Sequence, residues 1–237
     1  MVKAIFFDVF GTVVDWRSGL TTLLDKAFAK SDAEIDAGAL ARTWHRRVHM
    51  ELRVRIEAGA DYAPLDTLHA QALTETLEDA GLAHHLTREE TARLARGWER
   101  LPPWPDSTPG LRALRRDYVL APCTAASIAM TTWLAKHANL PFDLMLGADI
   151  ARAYPPAPEV FHASAAIIGL APEEVMLASA HNADLAAARA AGLKTAFFAR
   201  PHEHGPDQAS DLAPEDDWEI EAYDLLDLAR QMETAGF

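Results

Sequence analysis

The chain has 237 residues, of which 49% are hydrophobic and 24% charged, so it can bury a sizeable core in one large domain or two small ones. Its formal net charge of -13 disfavours nucleic-acid binding, because an acidic surface repels a phosphate backbone. We find neither an apolar run of the roughly 20 residues that span a bilayer nor the pattern of a signal peptide. The single cysteine, Cys123, excludes an internal disulfide, and we expect a cytoplasmic protein without membrane contact.

The first predicted element is a buried strand. Lys3 to Asp8 reads KAIFFD, an apolar run that ends in a carboxylate, and Phe10-Gly11-Thr12 then breaks it with a tight turn. Residues 16–101 differ in character, because they are rich in Ala, Leu, Arg and Glu and have almost no β-branched runs. Apolar residues recur there at helical spacing in four groups: Leu20, Leu23, Leu24 and Ala27; Leu40, Trp44, Val48, Leu52 and Ile56; Leu65, Leu68, Leu73 and Leu77; Leu94 and Trp98. The pattern predicts an all-helical block of about four helices.

Strands and helices alternate after this block. Residues 101–105, Leu-Pro-Pro-Trp-Pro, cannot continue a helix. Beyond them the pattern predicts helices at 109–116, 127–138, 158–168 and 183–191, and strands at 118–123, 144–147, 175–179 and 195–199. We interpret the acidic, proline-bearing residues 201–222 as a loop and residues 223–232 as a terminal helix. The alternation is typical of an α/β fold with a parallel sheet covered on both faces.

The first strand stands alone before the helical block, although a parallel strand needs neighbours. The economical solution is that it belongs to the later sheet. We therefore predict an α/β core domain of residues 1–15 and 102–237, with residues 16–101 inserted as an α-helical cap domain. Ligands of open α/β sheets bind beyond the carboxyl ends of the strands. The cap would then close over Asp8, Cys123–Thr124 and Ser179.

Residues 7–15, Phe-Asp-Val-Phe-Gly-Thr-Val-Val-Asp, resemble the first motif of the haloacid dehalogenase superfamily. The layout is also similar, with a cap after the first strand, a Ser or Thr after the second core strand, and an acidic residue after the fourth. The segments Tyr154–Phe161 and Met176–Gly192 are most similar to the type II (L-)2-haloacid dehalogenases. This resemblance covers essentially the full chain and implies a Rossmann-like core with an inserted helical cap.

The resemblance implies that Asp8 is a nucleophile, which would attack the carbon bearing a halide and form a covalent ester. Asp184 would activate or position the water that hydrolyses this ester. Thr12 and Thr124 would hydrogen-bond the nucleophile or the substrate carboxylate, although Thr12 could simply satisfy the turn backbone. Ser179 and His181 would line the loop after the fourth core strand, residues 179–184. His181 could also be an ordinary exposed histidine of this loop. The candidates for substrate binding are Phe10, Trp44, His45, Ala125 and His181.

Two positions decide between carbon–halogen and phosphoryl chemistry. Phosphatases of the superfamily carry a second Asp two residues after the nucleophile, where this chain has Phe10, which cannot transfer a proton. They usually also have Asp at both 180 and 184, but here Ala180 leaves only Asp184. A magnesium site made of Asp8 and Asp184 alone would be weak. We therefore predict a small carboxylate substrate and no cofactor, and place a magnesium-dependent phosphatase last.

Three positions depart from the dehalogenase pattern. Pro155 stands where relatives have a Lys that neutralises and orients the nucleophile, and Thr124-Ala125 replaces their usual Ser-Asn. His45 stands where they use an Arg of the cap. Losing the lysine charge alone would cost roughly 10²–10⁴ in rate. The sequence thus leaves open a catalytically impaired relative that binds a small molecule or a protein. The resemblance further favours a homodimer formed through the cap.

Overall fold

The computed structural model describes residues 1–235, and a single parallel sheet forms its centre. The strands are β1 (Ala4–Phe7), β2 (Val119–Thr124), β3 (Leu146–Gly147), β4 (Val175–Ser179), β5 (Lys194–Phe198) and β6 (Ile220–Ala222). Their order across the sheet is β3-β2-β1-β4-β5-β6, and every neighbouring pair is parallel. β1 therefore lies between β2 and β4, which the chain supplies only after the helical block.

Helices account for most of the remaining chain. They are α1 (Trp16–Phe28), α2 (Ala37–Glu57), α3 (Leu65–Asp79), α4 (Arg88–Ala95), α5 (Ser107–Leu114), α6 (Ile128–Ala138), α7 (Ala148–Ala151), α8 (Pro158–Ile167), α9 (Asn182–Ala190) and α10 (Leu225–Ala235). Polar side chains cap the N-termini of several of these helices. Asp15 accepts a hydrogen bond from the backbone of Ser18 at the start of α1, and Ser127 accepts one from Met130 at α6. Among the helices of residues 1–235, none is long and apolar enough to cross a membrane.

The side chains of β1 alternate between two apolar clusters. Ile5 and Phe7 face a cluster that includes residues of α5, α6, α10 and the helical block. Ala4 and Phe6 face a second cluster built with residues of α8 and α9. All four side chains are fully buried. This burial on both faces explains why β1 reads as a continuous apolar run rather than an alternating one.

The helical block, residues 16–101, contains α1 to α4 and two short 3-10 turns, and the described chain places no strand in it. The chain leaves and re-enters the sheet side by side. The backbone N–H of Asp15 donates to Pro102 at 2.9 Å, and that of Trp104 donates to Val13 at 3.1 Å. Trp44 and Trp98 pack edge to face at 5.7 Å inside the block. The chain therefore enters and leaves the helical block through two adjacent segments.

Two elements were absent from the sequence interpretation. β6 lies inside residues 201–222, which we expected to be loop, and α7 directly follows Gly147. β6 has only three residues and lies at the edge of the sheet, so it is too short to show a clear periodicity. α7 is a single turn of four residues, for which the same reason holds.

Candidate active site

Asp8 is the first residue after β1 and lies at the carboxyl edge of the sheet. Thr12 is fully buried, and its hydroxyl donates to Asp8 Oδ2 at 2.7 Å while accepting the backbone N–H of Ala180 at 2.9 Å. Arg200 supports the turn from behind, because its Nε donates to the carbonyl of Thr12 at 2.9 Å. Both terminal nitrogens of Arg200 bind Asp106 at 2.8 Å. The turn after β1 therefore holds the carboxylate in one orientation.

The loop between β4 and α9 brings two more titratable groups to Asp8. His181 Nδ1 lies 3.2 Å from Asp8 Oδ2 and 3.4 Å from Asp184 Oδ2. Ser179 fixes this loop, because its hydroxyl accepts the backbone N–H of His181 at 3.0 Å and donates to Asp184 at 3.3 Å. Since β1 and β4 are adjacent and parallel, their carboxyl ends bring these residues to the same edge.

Glu203 completes the cluster, and the sequence analysis did not identify it. It is only 2% exposed although it lies in the segment after β5. Its Oε1 accepts the indole N–H of Trp16 at 3.0 Å, and its Oε2 lies 2.9 Å from His181 Nε2. A side chain at position 11 would collide with this carboxylate, since a Cβ on Gly11 would fall 2.1 Å from Glu203 Oε1. Gly11 therefore serves the close approach of Glu203 as well as its own turn, where φ is +91°.

These contacts shift two pKa values in opposite directions. Burial alone would lower the pKa of His181, but its contacts with Asp184, Asp8 and Glu203 outweigh burial and raise this pKa well above its ordinary value. Burial would raise the pKa of Glu203, but the neighbouring His181 lowers it. Both directions favour a protonated His181 ring beside an ionised Glu203.

A cavity of about 600 Å³ opens above Asp8, between the sheet edge and the helical block. We refer to two groups of lining residues as walls. The core wall consists of Asp8, His181, Asp184 and Glu203, and the helical wall consists of His45, His49, His69 and Trp98. The rest of the lining consists of apolar residues together with Thr124, Ala125, Pro155, Arg53, Glu57 and His204.

The histidines of the helical wall are held in aromatic surroundings. The ring of His45 stacks on Trp16 with centroids 3.9 Å apart, and that of His69 packs on Trp98 at 4.1 Å. His69 is fully buried, and neither of its ring nitrogens has a hydrogen-bond partner among the described residues. Burial holds the pKa of His45 and of His69 well below the ordinary value, so both rings are neutral at pH 7.

The cavity brings together most of the residues that the sequence singled out. The predicted residues that line it are Asp8, Phe10, His45, Thr124, Ala125, His181 and Asp184. Thr12 and Ser179 are fully buried behind it and reach it through their hydrogen bonds to Asp8 and Asp184.

Trp44 does not occupy the position expected of a substrate-binding residue. It is fully buried and donates its indole N–H to the carbonyl of His69 at 2.9 Å. Trp98 instead presents the aromatic surface to the cavity. Both tryptophans lie on apolar helical faces, and the helical period indicates only that they point inward, which is why the sequence did not distinguish them.

Pro155 lies in the cavity wall and supplies no charge. Within residues 1–235, no lysine or arginine nitrogen is paired with Asp8, whose ion-pair partner is His181. Arg53 reaches the rim, but its side chain is 80% exposed and pairs with Glu57. Arg152 lies over the ring of Tyr62 instead. Neither Arg53 nor Arg152 therefore supplies the positive charge that the resemblance implies at position 155.

Asp8, His181 and Asp184 also form the one group of potential metal ligands found in the described chain, with ligand atoms within 4.8 Å of one another. Magnesium prefers a nearly octahedral set of oxygen atoms. Here one of the three atoms is an imidazole nitrogen, and Phe10 and Ala180 occupy the places of the further phosphatase carboxylates. The donor set does not fit a magnesium ion.

Known proteins with similar sequence and structure agree on one family. The model of the haloacid dehalogenase-like hydrolases matches residues 2–192. An (S)-2-haloacid dehalogenase of Xanthobacter autotrophicus is 27% identical over 207 residues, which cover 84% of this chain and 76% of that protein. A solved defluorinating L-2-haloacid dehalogenase is 43% identical, with a TM-score of 0.95 over 98% of this chain and 96% of its own. Another solved L-2-haloacid dehalogenase is 42% identical, with a TM-score of 0.94 over 98% and 99%.

Proposed function

Because this chain belongs to the haloacid dehalogenase-like hydrolases, we propose that it hydrolyses the carbon–halogen bond of a small 2-halocarboxylate through a covalent ester on Asp8. The observation that carries the proposal is the asymmetric setting of the Asp8 carboxylate. Thr12 and His181 both contact Oδ2. Oδ1 makes no side-chain hydrogen bond within residues 1–235 and belongs to a residue that lines the cavity. The carboxylate is thus oriented through one oxygen, and the other is available for attack.

In the first step, Oδ1 of Asp8 attacks the carbon that bears the halogen. The new carbon–oxygen bond forms as the carbon–halogen bond breaks, and the halide leaves with the bonding electron pair. Phe10 and Trp98 pack edge to face with ring centroids 5.2 Å apart, and both line the cavity, where they offer an apolar surface to the carbon being attacked. Excluding water there keeps the nucleophile poorly solvated and reactive.

In the second step, a water molecule attacks the carboxyl carbon of the Asp8 ester. Asp184 lies beside Asp8 on the same wall and takes a proton from this water. The tetrahedral intermediate collapses with cleavage of the bond between the carboxyl carbon and Oδ1. The departing alkoxide takes the proton from Asp184, giving the hydroxy acid. Asp8 is regenerated with one oxygen from water, and the halide and a proton complete the balance.

The proposed substrate class follows from the relatives and the cavity together. The similar proteins act, by their names, on (S)-2- or L-2-haloacids, and one of them is defluorinating. A cavity of about 600 Å³ is ample for an acid of two or three carbons. Thr124 and the neutral helical wall offer hydrogen-bonding groups to a carboxylate. We propose Thr124 and Ala125 as part of that binding site, with His45 opposite.

We also propose the domain division of residues 1–15 and 102–237 against an inserted cap of 16–101, together with a cytoplasmic homodimer. The adjacent crossing points between Asp15 and Pro102 support the inserted cap. The apolar side chains of Met50 and Val54, one helical turn apart on α2, are 61% and 59% exposed, which supports a partner surface on this block. Light scattering after size exclusion measures the oligomer directly, and a monomer at micromolar concentration contradicts the homodimer.

Halide release from 2-chloropropionate and fluoroacetate tests the proposed function. We expect the Asp8→Asn variant to abolish release, because an amide oxygen is a poor nucleophile, and we expect EDTA to change the rate of the unaltered protein less than about twofold. Asp25→Asn, at an exposed position of α1, serves as the matched control. Halide release by no haloacid, or phosphate release from p-nitrophenyl phosphate that EDTA abolishes, would overturn the proposal. The former result would favour the impaired, ligand-binding relative.

A further inference from the structure

The reaction proposed above places negative charge on the Asp8 carboxyl group and so favours a cation near it, and the resemblance to the dehalogenases implies a lysine at a position where this chain has none. Pro155 occupies that position in the cavity wall. The described residues offer no lysine or arginine nitrogen in ion-pair contact with Asp8. Asp8, Asp184 and Glu203 would otherwise give the core wall three negative charges in close proximity. Such a cluster is unfavourable without a cation between its members.

The contacts of His181 favour the protonated form of its ring. Its Nδ1 faces carboxylate oxygens of Asp8 and Asp184, at 3.2 Å and 3.4 Å, and its Nε2 faces Glu203 at 2.9 Å. Ionised carboxylates only accept hydrogen bonds, and a neutral imidazole has a proton on one nitrogen alone. In a neutral ring, the lone pair of the other nitrogen would point at an anionic oxygen. Only the imidazolium presents an N–H on both sides.

We propose that His181, oriented by the buried Glu203, is the cation that serves Asp8 in place of the missing lysine and that, with Thr12, it forms the oxyanion hole for hydrolysis of the Asp8 ester. This inference rests on the proposed function. Oδ2, which both residues contact, becomes the carbonyl oxygen of the ester once Oδ1 has attacked. Water attack on the carboxyl carbon then places negative charge on Oδ2. Donors that already face this oxygen stabilise the charge without reorganisation.

Glu203 is built into the structure for this role. It is almost inaccessible to solvent, Trp16 fixes its Oε1, and the absence of a side chain at Gly11 leaves the space that it fills. A buried carboxylate is costly unless it is paired. The strongest pairing available to it is His181, whose raised pKa agrees with a charged ring.

The groups facing the ring come from every element around it. They are Asp8 after β1, Asp184 on α9, Glu203 and the neighbouring His204 after β5, and His45 and His49 from the helical block. Burial lowers the pKa values of His45 and His49 first, and the charge of His181 lowers them further. The balance of three carboxylates against the neutral rings of His45 and His49 favours the cation.

Replacing His181 by Gln tests the catalytic part of this inference. We expect turnover of 2-chloropropionate to fall at least about 100-fold, the cost of losing one oxyanion-hole donor. The ester on Asp8 should accumulate, because the variant should slow ester hydrolysis more than it slows the attack of Asp8. The ester is detected as a mass increase of the intact protein. Adding Pro155→Lys to this variant should raise its turnover at least about tenfold. Pro155→Lys in the unaltered protein should raise turnover little, because the cation is already present. His137→Gln, at an exposed histidine of α6, is the control.

Turnover of His181→Gln within about threefold of the unaltered protein, with no rescue by Pro155→Lys, overturns the inference. A second measurement does not depend on activity. Nitrogen–proton NMR of the unaltered protein at about pH 7.5 should show both nitrogens of the His181 ring protonated, and Glu203→Gln should bring deprotonation to lower pH. A neutral ring at this pH also overturns the inference. Absence of halide release together with a doubly protonated ring overturns the proposed function and with it the oxyanion-hole role, and leaves only the assignment of His181 as the cation beside Asp8.

Discussion

The core wall and the helical wall of the cavity both contain histidines, but in opposite electrostatic settings. On the core wall, His181 lies among carboxylates that raise its pKa. On the helical wall, burial lowers the pKa of His45 and of His69, which lie against tryptophan rings. The same side chain is therefore a cation on one wall and a neutral group on the other. What differs is the number of anionic partners, since the histidines of both walls are at least partly buried.

The histidines of the two walls change the stability of the fold with pH in opposite directions. The raised pKa of His181 means that its charge contributes stability below about pH 6.5, the ordinary value for histidine, and that this contribution is lost as the pH rises through the higher folded-state pKa. The lowered pKa values of His45 and His69 act the other way. Stability is lost as the pH falls from about 6.5 towards their folded-state values, because the unfolded chain then binds protons that the folded chain does not.

The largest effect of a substitution in either wall should follow from removing Glu203, the carboxylate that pairs with His181. We expect Glu203→Gln to lower kcat roughly 10- to 100-fold, the cost of about 1.5–3 kcal/mol for a hydrogen bond to a charged group. The alkaline limb of the kcat profile should also move to lower pH, because the ring loses a partner that raises its pKa. Steady-state halide release across pH measures both changes.

Glu174→Gln provides the matched control, since Glu174 pairs with Lys3 far along the sheet from Asp8. An unshifted alkaline limb in Glu203→Gln would contradict the assignment of the positive charge on the core wall to the pair of His181 and Glu203.

An intermediate effect should follow from making the helical wall positive. We expect His45→Arg to lower the KM for 2-chloropropionate about tenfold, because a guanidinium both stacks on Trp16 and binds a carboxylate through charge-assisted hydrogen bonds. The change in kcat should be smaller, since the charge is added away from Asp8. His45→Gln keeps the wall neutral and should leave KM higher than the arginine variant does. Equal KM values in the two variants would contradict carboxylate binding near position 45.

The smallest effect concerns the unpartnered ring of His69. We expect His69→Phe to raise the free energy of unfolding by about 1 kcal/mol near neutral pH, because it removes a buried polar group without partners while keeping the ring on Trp98. The gain should grow as the pH falls below about 6.5, with the sign given above for a lowered pKa. Urea unfolding at two pH values measures this. A gain independent of pH would show that His69 is not held neutral by the fold.

The contrast between the walls also shows which features the sequence alone can reveal. The place of Asp8 directly after a buried strand was predictable because an apolar run that ends in a carboxylate and a Gly-containing turn is a local pattern. The strand at 175–179 was predicted with the bounds of β4, again from a short buried run. The four groups of apolar residues in 16–101 correspond to α1, α2, α3 and the segment from α4 to Arg100.

Glu203 was not predictable because its role depends on contacts across the chain. Trp16 lies 187 residues away in sequence and His181 lies 22 residues away. The segment around Glu203 is acidic and carries prolines, which is equally typical of a solvated loop. The charge of His181 was unpredictable for the same reason, because it depends on three carboxylates that come from separate elements.

The central claim is that Asp8 is esterified and then hydrolysed at its own carboxyl carbon. A single turnover in heavy-oxygen water, with enzyme in excess over 2-chloropropionate, tests it most directly. The account predicts that the label enters the carboxylate of Asp8, detected by mass spectrometry of the peptide containing it, and that the hydroxy acid stays unlabelled. Label in the hydroxy acid and none in Asp8 would mean that water attacks the substrate carbon directly, and would contradict the account.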